Sequence, residues 1–276
     1  MERKKFLAAI IAMCVLIVFL LVMGSSIKEQ FNNQVYKTLI AKVRNEALPA
    51  NIEIIESVES KSDNVTGTSF STGFSGVIIG NEGDTYYALT AKHAILEEND
   101  SEDTEYIIIG YDALDMKTFL NSGEKYIGST EYYQPFPKAE IVYSNDSYDL
   151  VLIRFTSEAE YLALPIASEP PKAGETIASM SNPNGEHNEI TIGKIKRGER
   201  VRFNDDAGKN QYPMMTHTAF CDQGSSGGAL LNQNLEIVGI ELGGNENTFR
   251  RFISGMMMPS DRILEFLEAS GYEIKN

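Results

Sequence analysis

Positive charge is scarce in this chain of 276 residues, where 24 Lys and Arg stand against 39 Asp and Glu for a formal net charge of −15. Phosphate contacts need clustered Lys and Arg, so a nucleic-acid partner is not expected. Cysteine is scarcer still, with only Cys14 and Cys221. Cys14 falls in an apolar N-terminal segment, which argues against a stabilising disulfide, and neither residue has the ligand spacing of structural zinc. No metal or cofactor is expected, and Cys221 reads as a buried free thiol rather than a nucleophile. Histidine is limited to His93, His187 and His217. Internal repeats and low-complexity tracts do not stand out. What is present, 42% hydrophobic and 9% aromatic residues, is the composition of a folded globular protein with room for one large domain or two small ones.

Only one long apolar run occurs. Arg3, Lys4 and Lys5 precede an uncharged stretch from Phe6 to Met23, 18 residues long. As a helix it would reach roughly 27 Å, close to the ~30 Å hydrocarbon core of a bilayer. A signal peptide usually has a shorter apolar region, so residues 6–23 read first as a membrane anchor. Cleavage after Gly24, which would release a secreted protein, is the alternative. In either case the basic flank stays in the cytoplasm and the remainder is exported.

Residues 27–48 carry Ile27, Phe31, Val35, Leu39, Val43 and Ala47 at every fourth position, the pattern of an amphipathic helix that Pro49 ends. This segment reads as a stalk, as a helix packed on the following domain, or as a seam for self-association. Asn51 to Asp63 is mixed and charged, an edge strand followed by a linker. From about Val65 the texture changes to short apolar runs separated by Gly, Asn, Asp and Ser. Examples are Tyr86–Thr90, Tyr106–Ile109, Leu150–Ile153 and Ile237–Ile240, and many such strands predict an all-β barrel or sandwich. Ser260 to Ser270 reads as a capped helix stopped by Gly271.

Chemistry concentrates at Gln223-Gly224-Ser225-Ser226-Gly227-Gly228. Glycines there permit backbone conformations closed to other residues and leave amide N–H groups free to converge on a developing oxyanion. A serine nucleophile also needs a base, and the base an orienting acid. His187 lies in a polar loop and reads as solvated, and His217 reads as structural. His93 ends the strand-like run Tyr86–Thr90, and Asp149 stands at the mouth of the apolar run Leu150–Ile153. The order is therefore His, Asp, Ser, at intervals of 56 and 77 residues when Ser226 is counted.

Thr90-Ala91-Lys92-His93, Tyr148-Asp149-Leu150-Val151-Leu152 and Gly224-Ser225-Ser226-Gly227-Gly228 together resemble the three motifs of the chymotrypsin-fold serine peptidases. The segment Ala178–Gly185 followed by Thr191–Ile195, and Met258-Pro259-Ser260 before the last helix, are similar to the protease domain of bacterial HtrA/Deg proteins. The resemblance covers roughly residues 65–270. It implies two six-stranded antiparallel β-barrels with a cleft between them and a C-terminal helix. The expected organisation is an anchor or signal over 1–24, a membrane-proximal helix and linker over 25–63, and a trypsin-like protease domain over 64–276.

By the same resemblance Ser226, immediately before the paired glycines, is the nucleophile in preference to Ser225. His93 is the base and Asp149 the acid that orients it. The N–H groups of Gly224 and Ser226 form the oxyanion hole, and Phe220, Cys221, Leu242, Gly243 and Gly244 line the substrate site. The implied activity is that of a serine endopeptidase on protein or peptide substrates, outside the cytoplasmic membrane. A non-catalytic scaffold on the same fold, or an esterase, are the alternatives. The acid that precedes the nucleophile in chymotrypsin-like zymogens is replaced by Ser225, so that activation route is not expected. The PDZ domain usual in HtrA proteins is not expected either. Glu241 reads as an outward surface residue, with a place in the primary pocket as the alternative.

Overall fold

The computed structural model describes residues 13, 30, 32–62, 65–95, 104–114, 116–121, 128–204 and 211–273. Apart from Met13, the expected membrane segment 6–23 lies outside the described residues, as does Cys14. Among the described residues no helix is long and apolar enough to cross a membrane. The chain divides into two units, Met1–Ala41 and Lys42–Asn276. Of the expected amphipathic segment, residues 32–42 are α-helical. A π-turn at Val43–Ala47 and a 3-10 turn at Leu48–Ala50 follow, the latter built around Pro49.

The second unit contains two barrels. The first is formed by β1 (Asn51–Ser62), β3 (Phe74–Glu82), β4 (Thr85–Ala91), β5 (Thr104–Gly110), β6 (Lys138–Asn145) and β7 (Leu150–Thr156). Its order is β1-β3-β4-β7-β6-β5, closed by antiparallel pairing of β5 with β1. β2 (Val65–Phe70) adds as a hairpin on the outer end of β1. Ile52, Ile54, Ile78, Leu89, Ile108 and Leu152 are fully buried on its strands, and each such side chain contributes about 1.5–3 kcal/mol by leaving water. The expected domain start at residue 64 needs correction. Residues 51–62 are a barrel strand rather than edge and linker, and their buried Glu53 and Glu56 gave the segment its charged appearance.

The second barrel is closed in the order β10-β13-β12-β11-β8-β9. Its strands are β8 (Thr176–Ser181), β9 (Glu189–Asn204), β10 (Gln211–His217), β11 (Ala229–Leu231), β12 (Ile237–Glu246) and β13 (Phe252–Pro259). Ile177, Ile195, Met215, Leu230, Val238 and Met257 form its core. The connection between the barrels is hydrogen-bonded to both, Leu164 N–H to Ile78 O at 3.0 Å and Ala167 N–H to Ile237 O at 2.9 Å. The final helix (Ser260–Ser270) places fully buried Phe266 against Tyr143 and Tyr148 of the first barrel. The two barrels therefore meet along a packed seam.

Candidate active site

Three strand ends converge on the seam. β4 terminates in a 3-10 turn, Lys92–Ala94, that carries His93. Asp149 precedes β7 with φ +52°, a left-handed conformation that Asp adopts more readily than bulkier residues. That conformation lets one residue bond the His93 segment three times. Asp149 O accepts Lys92 N–H at 3.0 Å, Oδ1 accepts His93 N–H at 2.8 Å, and Oδ2 lies 2.7 Å from His93 Nδ1. The Asp149 side chain is buried (8% exposed) while that of His93 is open (44%). With a carboxylate on Nδ1, the neutral ring carries its proton there and turns the Nε2 lone pair outward. Ser226 Oγ stands 2.9 Å from Nε2, in position to donate its proton.

The serine turn is built around two left-handed glycines, Gly224 and Gly227, both at φ +89°. A Cβ on Gly227 would lie 2.1 Å from Ser75 O and 2.3 Å from Thr90 Oγ1, so the turn rests directly on the first barrel. Ser225 is buried, and its Oγ accepts Asp222 N–H at 3.1 Å and lies 3.4 Å from Ser181 Oγ. Its hydroxyl is thus occupied in holding the turn, whereas that of Ser226 faces the imidazole. Gln223 O accepts Asn184 N–H at 2.7 Å. Because the described peptides are all trans, the Gly224 N–H of that unit points the opposite way from the bonded carbonyl.

Ser75 escaped sequence reasoning. Its N–H donates to Ser226 O at 3.0 Å, its Oγ donates to Gly224 O at 2.7 Å, and its own carbonyl accepts Thr90 Oγ1–H at 2.7 Å. Nothing in the stretch Phe74-Ser75-Gly76 distinguishes it from any other small residue of a buried strand.

The expected substrate-lining residues fall on two facing segments. Cys221 Sγ lies 3.5 Å from Gly243 O, and a Cβ on Gly244 would meet Cys221 Sγ at 3.3 Å. Phe220 is about half exposed and stacks edge-on with Phe252 at 5.3 Å between centroids. Leu242 is buried. Cys221 is a buried free thiol, with its pKa pushed up by burial and then by the nearby Glu241 carboxylate.

Two readings are overturned. Glu241 is fully buried rather than outward, because its carboxylate meets fully buried His217 at 3.0 Å inside the second barrel. His187 is not a solvated loop residue. It is buried, with Nδ1 3.3 Å from Glu53 Oε2 and Nε2 3.0 Å from Gly110 O.

Residues 74–240, more than half of the chain, match the family model described as a trypsin-like peptidase domain. The chain belongs to that family. It is also similar to the mitochondrial serine protease HTRA2 of Bos taurus, 28% identical over 138 residues. That match covers 45% of this chain and spans only 29% of the relative's length. Among solved structures, an inactive mutant form of Rv3671c from M. tuberculosis H37Rv superposes with a TM-score of 0.54 at 19% identity. The superposition covers 83% of this chain and 90% of that one, and it bears on the fold alone.

Proposed function

We propose that this protein is a serine endopeptidase that cleaves peptide bonds through an acyl-enzyme on Ser226. The observation that carries the reading is the continuous bonded line Asp149 Oδ2–His93 Nδ1, then His93 Nε2–Ser226 Oγ, at 2.7 and 2.9 Å. Ser226 Oγ attacks the scissile carbonyl as His93 Nε2 takes its proton. The imidazolium, balanced by Asp149, then returns that proton to the leaving amine. Water repeats the sequence to release the acid product. The developing oxyanion is bound by the N–H groups of Gly224 and Ser226, and removing one such donor costs about 3–4 kcal/mol of barrier in comparable sites. Phe220, Cys221, Gly243 and Gly244 flank the chain segment entering the cleft, where main-chain pairing with the exposed edge near Gly243 suits an extended peptide.

The test uses fluorophosphonate labelling together with cleavage of a fluorogenic peptide library. The expected result is labelling and turnover in the native protein and in Ser225→Ala, and neither in Ser226→Ala. Turnover retained in Ser226→Ala would reject the assignment. The basic and apolar N-terminal sequence supports anchoring through residues 6–23 with the protease unit outside the cytoplasm. Recovery of the native chain in the soluble fraction after gentle lysis would reject the anchor.

A further inference from the structure

The oxyanion turn lacks the acidic residue that locks it in zymogen-type enzymes, since Ser225 stands in that place. Something else must hold the Gln223–Gly224 peptide. That peptide is flanked by a glycine, for which the flipped orientation, with the carbonyl turned into the hole, is sterically open. In this structure its carbonyl is held by Asn184 N–H at 2.7 Å, and Asn184 Nδ2 adds a 2.9 Å bond to Asp222 Oδ2.

Asn184 belongs to the loop 182–188 of the second barrel, and that loop is fastened to the first barrel at both ends. At its start, fully buried Asn182 donates Nδ2–H to Ile52 O and accepts Asn51 Nδ2–H on Oδ1, both at 2.9 Å. At its end, Asn188 accepts Asn51 Nδ2–H at 2.9 Å and donates its own amide to Tyr111 O at 2.6 Å. Between them His187 sits in a slot with an acceptor at each ring nitrogen, Glu53 Oε2 at 3.3 Å and Gly110 O at 3.0 Å. The loop also closes on itself through Asn188 N–H to Asn182 Oδ1 at 2.9 Å. All of these partners lie on β1 or at the end of β5.

We infer that Asn182 and the Glu53–His187 pair are positioning residues for the oxyanion hole. By fixing the 182–188 loop against β1, they keep Asn184 N–H on Gln223 O and so keep Gly224 N–H turned toward the reacting carbonyl. The first barrel, which supplies the base and its acid, thereby also sets the electrophile-binding group of the second. This inference rests on the serine-peptidase reading above.

The experiment compares native protein, His187→Phe and Glu53→Gln in the intact chain. His187→Phe keeps a ring in the slot and removes both ring hydrogen bonds. Glu53→Gln keeps the size and removes the carboxylate, and it serves if His187→Phe does not fold. Each is assayed on the best-cleaved fluorogenic peptide from the library, and with the aldehyde of the same sequence, whose tetrahedral adduct needs the hole. The expected result is a fall in kcat of about ten- to a thousandfold, bounded by loss of one oxyanion donor. KM should stay within about twofold, and aldehyde affinity should fall in parallel with kcat, because only the charged adduct uses the donor. Unchanged kcat and aldehyde affinity in a folded variant, or a rise in KM alone, would overturn the inference while leaving the peptidase reading intact. Native protein that neither turns over peptide nor labels at Ser226 would overturn both.

Discussion

Replacement of Asp149 by Asn tests the proposed triad through proton bookkeeping rather than through bulk. Asp149 offers two acceptors, Oδ1 to His93 N–H at 2.8 Å and Oδ2 to His93 Nδ1 at 2.7 Å. An Asn amide has one acceptor and one donor end. Turned so that its NH2 faced the His93 backbone N–H, it would leave two donors opposed in a buried site, at about 1–3 kcal/mol. The opposite orientation therefore wins, with the carbonyl on the backbone N–H and the NH2 against Nδ1. The ring must then place its lone pair on Nδ1 and its proton on Nε2, aimed at Ser226 Oγ 2.9 Å away. An Nε2–H cannot accept the serine proton. The same change in Ser-His-Asp triads lowers kcat by about 10⁴, which is about 5.4 kcal/mol of barrier. The fold should survive, since Asn also tolerates the φ of +52° at this position. The assay is steady-state cleavage of the selected fluorogenic peptide near neutral pH, with the thermal midpoint measured alongside. A folded Asp149→Asn enzyme within tenfold of the native kcat would refute the reasoning, because it would mean that the ring tautomer is not set by Asp149.

Two further perturbations probe the surroundings. Gly227→Ala would place a Cβ 2.1 Å from Ser75 O, where real contacts essentially never fall below 3.0 Å, and would do so at φ +89°. The expected loss is at least about 3 kcal/mol in urea unfolding, and an unchanged midpoint would show that the turn does not rest on the first barrel. Burial, and then the charge of Glu53, push the Tyr133 hydroxyl up to about 12. The unfolded value is near 10. Between those values the unfolded chain has lost the proton that the folded chain retains, so stability present below pH ~10 declines as pH rises toward ~12. Tyr133→Phe should flatten that alkaline decline in denaturant titrations, and an identical slope would rule the contribution out.

The legible parts of this protein are those whose cause is local. His93, Asp149 and Ser226 each stand where an apolar run meets a turn, and the resemblance of those three local stretches to the chymotrypsin-fold motifs marks them as candidates without reference to any tertiary partner. Glu53 shows the opposite case. In sequence it makes β1 look like a charged linker, yet it is buried because His187, 134 residues away, comes to meet it. Glu241 looked exposed for the same reason, and His217 neutralises that expectation from the neighbouring part of the barrel. A buried polar side chain is tolerated only with a partner. When that partner lies far away in sequence, hydropathy patterning misplaces the residue, as it does both Glu53 and His187. The asparagines of the 182–188 loop are a further instance. Their composition signals a turn, but their partners on β1 and at the end of β5 are supplied by barrel closure.

Ser75 shows why the distance between the proposed base and nucleophile need not depend on the bond between them. The His93–Ser226 contact is exposed, and a neutral hydrogen bond of that kind has a net worth of only about 1 kcal/mol, too little to hold two barrels in register. The backbone supplies a second route. Thr90, three residues before His93 on β4, holds Ser75 O on β3, and Ser75 in turn holds the carbonyls of Ser226 and Gly224. Ser75 Oγ also accepts Asn182 N–H at 2.8 Å, so one buried residue, through its carbonyl, N–H and hydroxyl, joins the base-bearing strand, the serine turn and the 182–188 loop. Each link is short, and each is buried or next to buried backbone, where a lost partner leaves an unsatisfied group. Their combined cost of rupture exceeds that of the catalytic contact they position. In the proposed mechanism the reacting atoms are thus set by bonds that take no part in proton transfer, which leaves the His93–Ser226 bond free to break and re-form during turnover.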